Sequence, residues 1–219
     1  MSNPIAWLAE LFEGAVQSLF EATGNYGWAI IVFSVILRIL IAPTQHMQIA
    51  SSKRLREVEP LRKAIEKRYK GNPKRIQEET MRLYREYNIS PLAGCLPMLL
   101  QIPIIWAFFI ALRTFEYQGD AGFLWIEHLG QPDPWILPII AGVTTFLQAK
   151  VTMPASSGDS PQQATQQTFL YVMPLFIVWV SRQFPAGLAL YWVVSNIVSI
   201  LQQLIFPAGG RDEPREAVS

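Results

Sequence analysis

Five stretches of this chain are apolar: residues 27–45, 91–113, 135–153, 167–181 and 188–206. Each approaches the ~20 residues that a helix needs to cross the hydrocarbon core of a bilayer. The pattern predicts an all-α polytopic membrane protein with five transmembrane helices. The third and fourth stretches are short, which suggests a locally thinned bilayer or polar ends drawn into it. In residues 1–26, Ile5, Leu8, Phe12, Ala15, Val16 and Leu19 recur at helical spacing, opposite Glu10, Glu13, Gln17 and Glu21. That pattern predicts an amphipathic helix, lying either on the membrane surface or against the protein's own spans. Residues 46–90 are polar yet periodic. Leu55, Val58, Leu61, Ile65 and Tyr69 form one stripe, and Ile76, Leu83, Tyr84 and Tyr87 another, with Gly71-Asn72-Pro73 between them. Glycine ends a helix, asparagine caps the next and proline suits its first turn, so a helical hairpin is expected. Residues 114–134, 154–166 and 182–187 read as connections, and 207–219 as a short polar tail.

Charge gives these elements a direction. Residues 46–90 hold 12 of the 18 Lys and Arg beside six Glu, whereas residues 1–26 hold three Glu and no Lys or Arg. Positive loops stay in the cytoplasm. The hairpin and the C-terminus are therefore expected inside, and the N-terminus, 114–134 and 182–187 outside. The hairpin's plainest role is an anchor against anionic lipid heads, and its sharper role a docking site for a nascent chain, a ribosome or another membrane protein. Net charge is only +1, which gives no bulk attraction to nucleic acid. Cys95 is the only cysteine, so no internal disulfide can form. No secretory signal pattern opens the chain; either the first span carries its own targeting information or a signal has been removed. His46 and His128 are far apart, no G-x-S-x-G occurs, and no span holds an acid for proton coupling. Neither an enzyme, a cofactor, a metal site nor a proton-coupled carrier is expected.

One residue breaks the apolar pattern. Arg38 sits within Ser34-Val35-Ile36-Leu37-Arg38-Ile39-Leu40-Ile41. A cation at the bilayer centre costs between about 3 and more than 10 kcal/mol, so it usually pairs with an acid. None of the five stretches contains Asp or Glu. Arg38 can snorkel to the surface, meet lipid phosphate, or face a water-filled cavity between spans. Polar residues on other spans favour the cavity. Trp192, Ser195, Asn196, Ser199, Gln202 and Gln203 form a stripe on the fifth; Gln101 lies on the second, and Thr144, Thr145 and Gln148 on the third. Such stripes also serve as glue between helices.

The run Asn88-Ile89-Ser90-Pro91-Leu92-Ala93-Gly94-Cys95-Leu96-Pro97-Met98-Leu99-Leu100-Gln101-Ile102-Pro103 resembles the start of the second core span in the YidC family of membrane protein insertases. Phe123-Leu124-Trp125-Ile126, Pro132-Asp133-Pro134 and Leu137-Pro138 are similar to its outer loop and third span. Pro185-Ala186-Gly187-Leu188-Ala189-Leu190-Tyr191-Trp192, then Asn196 and Gln202-Gln203, resemble its last span, and Arg38 stands where the family has a groove arginine. The resemblance covers residues 26 to 206, in order, and is to the short, Gram-positive-like form without a large outer domain. It implies five helices around a hydrophilic groove that opens to the cytoplasm and to lipid. There, hydrophilic segments of nascent membrane proteins enter while their apolar segments pass into the bilayer. It implies groove contacts at Arg38, Gln101, Ile102, Pro103, Tyr191 and Trp192, to which the polar stripe adds Ser195, Asn196, Ser199 and Gln202. It further implies a bacterial plasma membrane location, membrane lipids and the Sec translocon as partners, and a mobile hairpin that meets substrate early. The tail, with two arginines and three acids, departs from the long basic tails that reach ribosomes, which leaves the hairpin as the candidate ribosome contact.

Overall fold

In the computed structural model, residues 4–87, 89, 96–152 and 161–205 are described. They form α1 (Pro4–Thr23), α2 (Tyr26–Arg68), α3 (Pro73–Glu86), α4 (Leu96–Thr114), α5 (Ile136–Thr152), α6 (Pro161–Ser181) and α7 (Ala186–Ile205). Among these residues the only β pairing is an isolated bridge between Phe123 and Ile126. Ser90 to Cys95, Ser156-Ser157-Gly158 and the tail 207–219 lie outside the described residues, as do the side chains of His46 and Leu55.

The chain divides into two units, Met1–Leu40 with Gln101–Ile205, and Ile41–Leu100 with Phe206–Ser219. In the first, an aromatic core gathers around Phe108. Phe33 of α2 stacks on it at 5.3 Å, and Tyr191 of α7 lies 5.1 Å away. Phe12 of α1 meets Phe33 edge-on at 5.1 Å and Phe108 at 6.3 Å. With Ala9 and Val16 also buried, α1 turns its apolar face onto the protein's own helices, while Trp7 and Leu11 stay exposed. α5 packs closely on α6 and α7. Gly142 makes the first approach possible, since a Cβ there would sit 2.4 Å from Val178 Cγ2 and 3.1 Å from the Pro174 carbonyl.

Helix ends are stitched by neighbouring polar groups, as a medium without water requires. Asn25 Oδ1 accepts from the Gly27 N–H at 2.8 Å and starts α2. Buried Asp133 accepts from the N–H groups of Trp135 and Leu137 at 3.0 and 3.1 Å and from the Trp125 indole at 3.1 Å, capping α5. The N–H groups of Ala186 and Gly187, opening α7, donate to the carbonyls of Gln131 and Leu129 at 2.8 Å each. The Tyr26 hydroxyl accepts from the Gln118 N–H at 2.9 Å. One end of the bundle is thereby sewn to the loop between α4 and α5.

α6 starts at Pro161, so residues 161–166 are helical and not a loop. Proline suits a first helical turn, and the glutamines after it propagate a helix without being apolar. Hydropathy alone misses such a start.

In the second unit, Val58, Leu83 and Ile89 form a small core, flanked by Ile65 and Tyr84. Gly71 (φ +95°) ends the first arm in a backbone region open to glycine, and Asn72 Oδ1 accepts from the Arg75 N–H at 3.2 Å. Leu61 and Tyr87, placed by periodicity on the apolar stripes, are exposed. Arg62 is buried instead, donating to Glu59 at 2.6 and 2.8 Å and to Glu66. The Arg62 hydrogen bond holds the Glu59 carboxyl below the usual carboxylate range, and burial pushes the Tyr84 phenol up.

Candidate functional site

Polar and apolar residues of the first unit are placed inside out. Buried polar side chains include Ser34, Arg38, Thr144, Thr145, Ser195, Asn196 and Ser199. Large apolar side chains face outward, among them Ile39, Trp106, Ile139, Leu147, Leu175, Trp179 and Leu204. Water would not tolerate so much contiguous apolar surface, whereas lipid rewards it. Among the described residues, Ala186–Ile205 is the one helix long and apolar enough by length and composition to cross a membrane; the apolar segments Tyr26–Ala42, Gln101–Thr114, Ile136–Thr152 and Leu170–Ser181 are shorter.

Arg38 is 9% exposed. It projects from α2 onto α7, where its Nε–H donates to the Ser195 carbonyl at 3.1 Å. The same carbonyl accepts from Ser199 Oγ at 2.8 Å. No carboxylate pairs with Arg38 among the described residues, and its terminal nitrogens find no acceptor there. The Tyr191 phenol lies within electrostatic range of the guanidinium and accepts from the Gln101 amide at 2.9 Å. One turn earlier on α2, Ser34 Oγ donates to the Ile30 carbonyl at 2.6 Å. Ser34 carries no apolar periodicity that would mark it; its position four residues before Arg38 is the sequence signal for it.

The polar stripe of α7 has two edges. On one, Asn196 spans to α5, its amide 3.2 Å from Thr144 Oγ1 and 3.0 Å from Thr145 Oγ1. The amide oxygen is the atom that faces these hydroxyls, and it also accepts from the Thr145 N–H at 3.2 Å. The Asn196 amide nitrogen donates to Gln148 Oε1 at 2.8 Å. The Trp192 indole donates to Thr145 Oγ1 at 2.9 Å, and Thr152 Oγ1 donates to Gln203 Oε1 at 2.9 Å. This edge is glue between α5 and α7. The other edge, Tyr191, Ser195, Ser199 and Gln202, carries the contacts to Arg38 and Gln101. Ser195 Oγ and Gln202 Oε1 are buried there, and among the described residues neither has a hydrogen-bond partner.

The structure thus brings Arg38, Gln101, Tyr191, Ser195 and Ser199 together, with Gln202 following on the same edge. Trp192 and Asn196 belong to the glued edge. Ile102 is 55% exposed and Pro103 is exposed as well, both on the outside of α4. Helix geometry separates them from Gln101, because adjacent residues point about 100° apart.

Fold and site define an all-α polytopic membrane protein with a buried, acid-free arginine among polar helix faces. A model of the family described as "60Kd inner membrane protein" matches residues 18–211. The chain is 40% identical over 203 residues to "Membrane protein insertase YidC" of Caldanaerobacter subterraneus subsp. tengcongensis, covering 92% of this chain and 95% of that one. It is 38% identical over 186 residues to "Membrane protein insertase MisCA" of Bacillus subtilis, covering 83% and 70%. A solved structure described as "Active YidC insertase crystal structure with the first transmembrane domain resolved" superposes with a TM-score of 0.67 at 29% identity, over 89% of this chain and 46% of that one. The chain therefore spans about half the length of that solved relative. It belongs to the 60Kd inner membrane protein family, the YidC membrane protein insertases.

Proposed function

We propose that this chain inserts nascent membrane proteins by drawing a hydrophilic segment toward Arg38 while the adjoining apolar segment passes directly into lipid. One observation carries this reading. Arg38 and the edge of α7 that it meets have hydrogen-bonding capacity that the described residues do not use: the terminal guanidinium nitrogens, Ser195 Oγ and Gln202 Oε1. Groups of this kind inside a bundle are expensive unless something meets them. A polar stretch of another chain, with water around it, is suited to do so. Arg38 favours acidic residues in that stretch, and no bond is broken, so the activity needs no catalytic residue, metal or cofactor.

The contacting set is Arg38, Gln101, Tyr191, Ser195 and Gln202, with the Ser199 hydroxyl tied to the Ser195 carbonyl beside them. Trp192, Asn196, Ile102 and Pro103 border it, the latter two from the lipid side. The basic hairpin 46–90 and the acidic α1 support an N-terminus outside and a C-terminus in the cytoplasm of the bacterial plasma membrane. Membrane lipids follow from the exposed apolar faces. The Sec translocon and, through the hairpin, the ribosome are further partners in this proposal.

The test is insertion of a substrate whose translocated segment is acidic, in cells that depend on this chain. Arg38→Ala should reduce insertion roughly tenfold, the loss of a charge-assisted hydrogen bond of ~1.5–3 kcal/mol. Arg38→Lys should keep much of the activity. Unimpaired insertion by Arg38→Ala at equal expression would remove the charge-attraction role. Photocrosslinkers at Gln101 should capture the nascent chain, and no adduct there would count against the shared path.

A further inference from the structure

The Ser195 carbonyl receives two side-chain donors from different helices, Ser199 Oγ at 2.8 Å and Arg38 Nε at 3.1 Å. A serine bonded to the carbonyl four residues back tilts that carbonyl off the helix axis. A carbonyl oxygen has two lone pairs, so it can take a second donor from a neighbouring helix. We propose that Ser199 is a positioning residue that holds Arg38 by its Nε edge and so presents the Nη1/Nη2 end of the guanidinium to an incoming carboxylate.

The geometry of the guanidinium gives the inference its content. A carboxylate can pair bidentately along the side edge, Nε with one Nη, or across the end, with both Nη groups. In this structure the side edge is occupied by backbone, and among the described residues the end meets no acceptor. A backbone carbonyl carries no net charge, so it fixes the direction of the cation without neutralising it, as an aspartate there would. Ser34 lies one turn before Arg38 on α2. Its hydroxyl donates to the Ile30 carbonyl of its own helix, and its small side chain is fully buried.

This inference rests on the charge-attraction reading above, and the experiment separates the two. Two substrates are compared, identical except that the acids of the translocated segment are Asp/Glu in one and Asn/Gln in the other. The quantity read is the ratio of their insertion by wild type, Ser199→Ala, Ser199→Thr and Arg38→Ala. Ser199→Ala should lower the acidic-to-neutral ratio about three- to tenfold, the range expected when a hydrogen bond that orients a charge is lost. Ser199→Thr keeps the hydroxyl and should restore the ratio. In an Arg38→Ala background Ser199→Ala should lower the ratio no further, because coupled residues are not additive. A ratio unchanged in Ser199→Ala, a parallel fall for both substrates, or failure of threonine to rescue would overturn the positioning role while leaving Arg38 as the attractor. An unchanged ratio in Arg38→Ala would overturn the attraction itself, and the positioning with it.

Discussion

At the residue scale, polar side chains in α7 do two kinds of work, and single substitutions should separate them. Asn196 bridges α7 to Thr144, Thr145 and Gln148 of α5, so its loss should weaken the pairing of two helices. Hydrogen bonds between membrane helices are worth ~0.6–1.7 kcal/mol each. Asn196→Ala should therefore lower stability in detergent by about 1–2 kcal/mol. The drop should be equal whether or not substrate carries acids, and unfolding monitored by Trp fluorescence would measure it. Arg38 was legible from sequence because a lone cation in an apolar run has few explanations. The division of the stripe was not. Residues 192, 196 and 203 and residues 191, 195, 199 and 202 lie within one polar arc, and only the placement of α5 and α2 on either side of it assigns partners. Ile102 and Pro103 show the same limit: a motif marks a neighbourhood, and helix rotation decides which of its residues point inward.

At the element scale, most helix breaks follow local chemistry and helix contacts do not. Gly71-Asn72-Pro73 punctuates the hairpin in sequence, and α2 ends at Arg68 with α3 beginning at Pro73. By contrast, nothing local marks Gly142 as the point where α5 meets α6. A Cβ there strikes Val178 and the Pro174 carbonyl, so Gly142→Ala should cost about 1–3 kcal/mol from overpacking. Val178→Ala in the same chain should recover part of the loss by removing the closer obstruction, which thermal unfolding of both variants would read. In the hairpin, periodicity put Leu61 inside, but Arg62 is there, because its stem packs while Glu59 and Glu66 satisfy its head. Since Arg62 lowers the folded-state pKa of Glu59, this contribution to stability is present above the ordinary carboxylate range. It is lost as pH falls through the lowered value. Amide protection factors across 57–87, which allow for the slower intrinsic exchange in acid, should thus fall as pH is lowered, and Glu59→Gln should lower them at neutral pH to a similar extent.

At the scale of the whole molecule, the inside-out placement of side chains follows from lipid as solvent, and helix lengths follow from how much lipid must be crossed. α7 has 20 residues and α5 has 17. At 1.5 Å per residue these are ~30 and ~26 Å, against a hydrocarbon core of about 30 Å. A helix longer than its surroundings can tilt to fit, but a shorter one cannot lengthen, so we propose that α5 is matched by a thinner bilayer or by polar ends drawn into it. α7 cannot relieve this independently. Asn196 joins the two helices at mid-height, and Thr152 donates to Gln203 near their last turns, which sets those ends level. The shortfall therefore falls on the opposite side, where Asp133 and the Trp125 and Trp135 rings border the start of α5 and can draw polar headgroups inward. A thinner membrane shortens the apolar barrier that an incoming polar segment must pass, so the mismatch aids the proposed activity. In vesicles of increasing acyl-chain length, insertion by the purified chain should be greatest in the shorter lipids and fall severalfold in the longest, at mismatch costs of a fraction of a kcal/mol per Å. Adding four leucines to the start of α5 should move the optimum toward longer lipids. Insertion indifferent to acyl length in both proteins would show that the short helices do not thin the membrane.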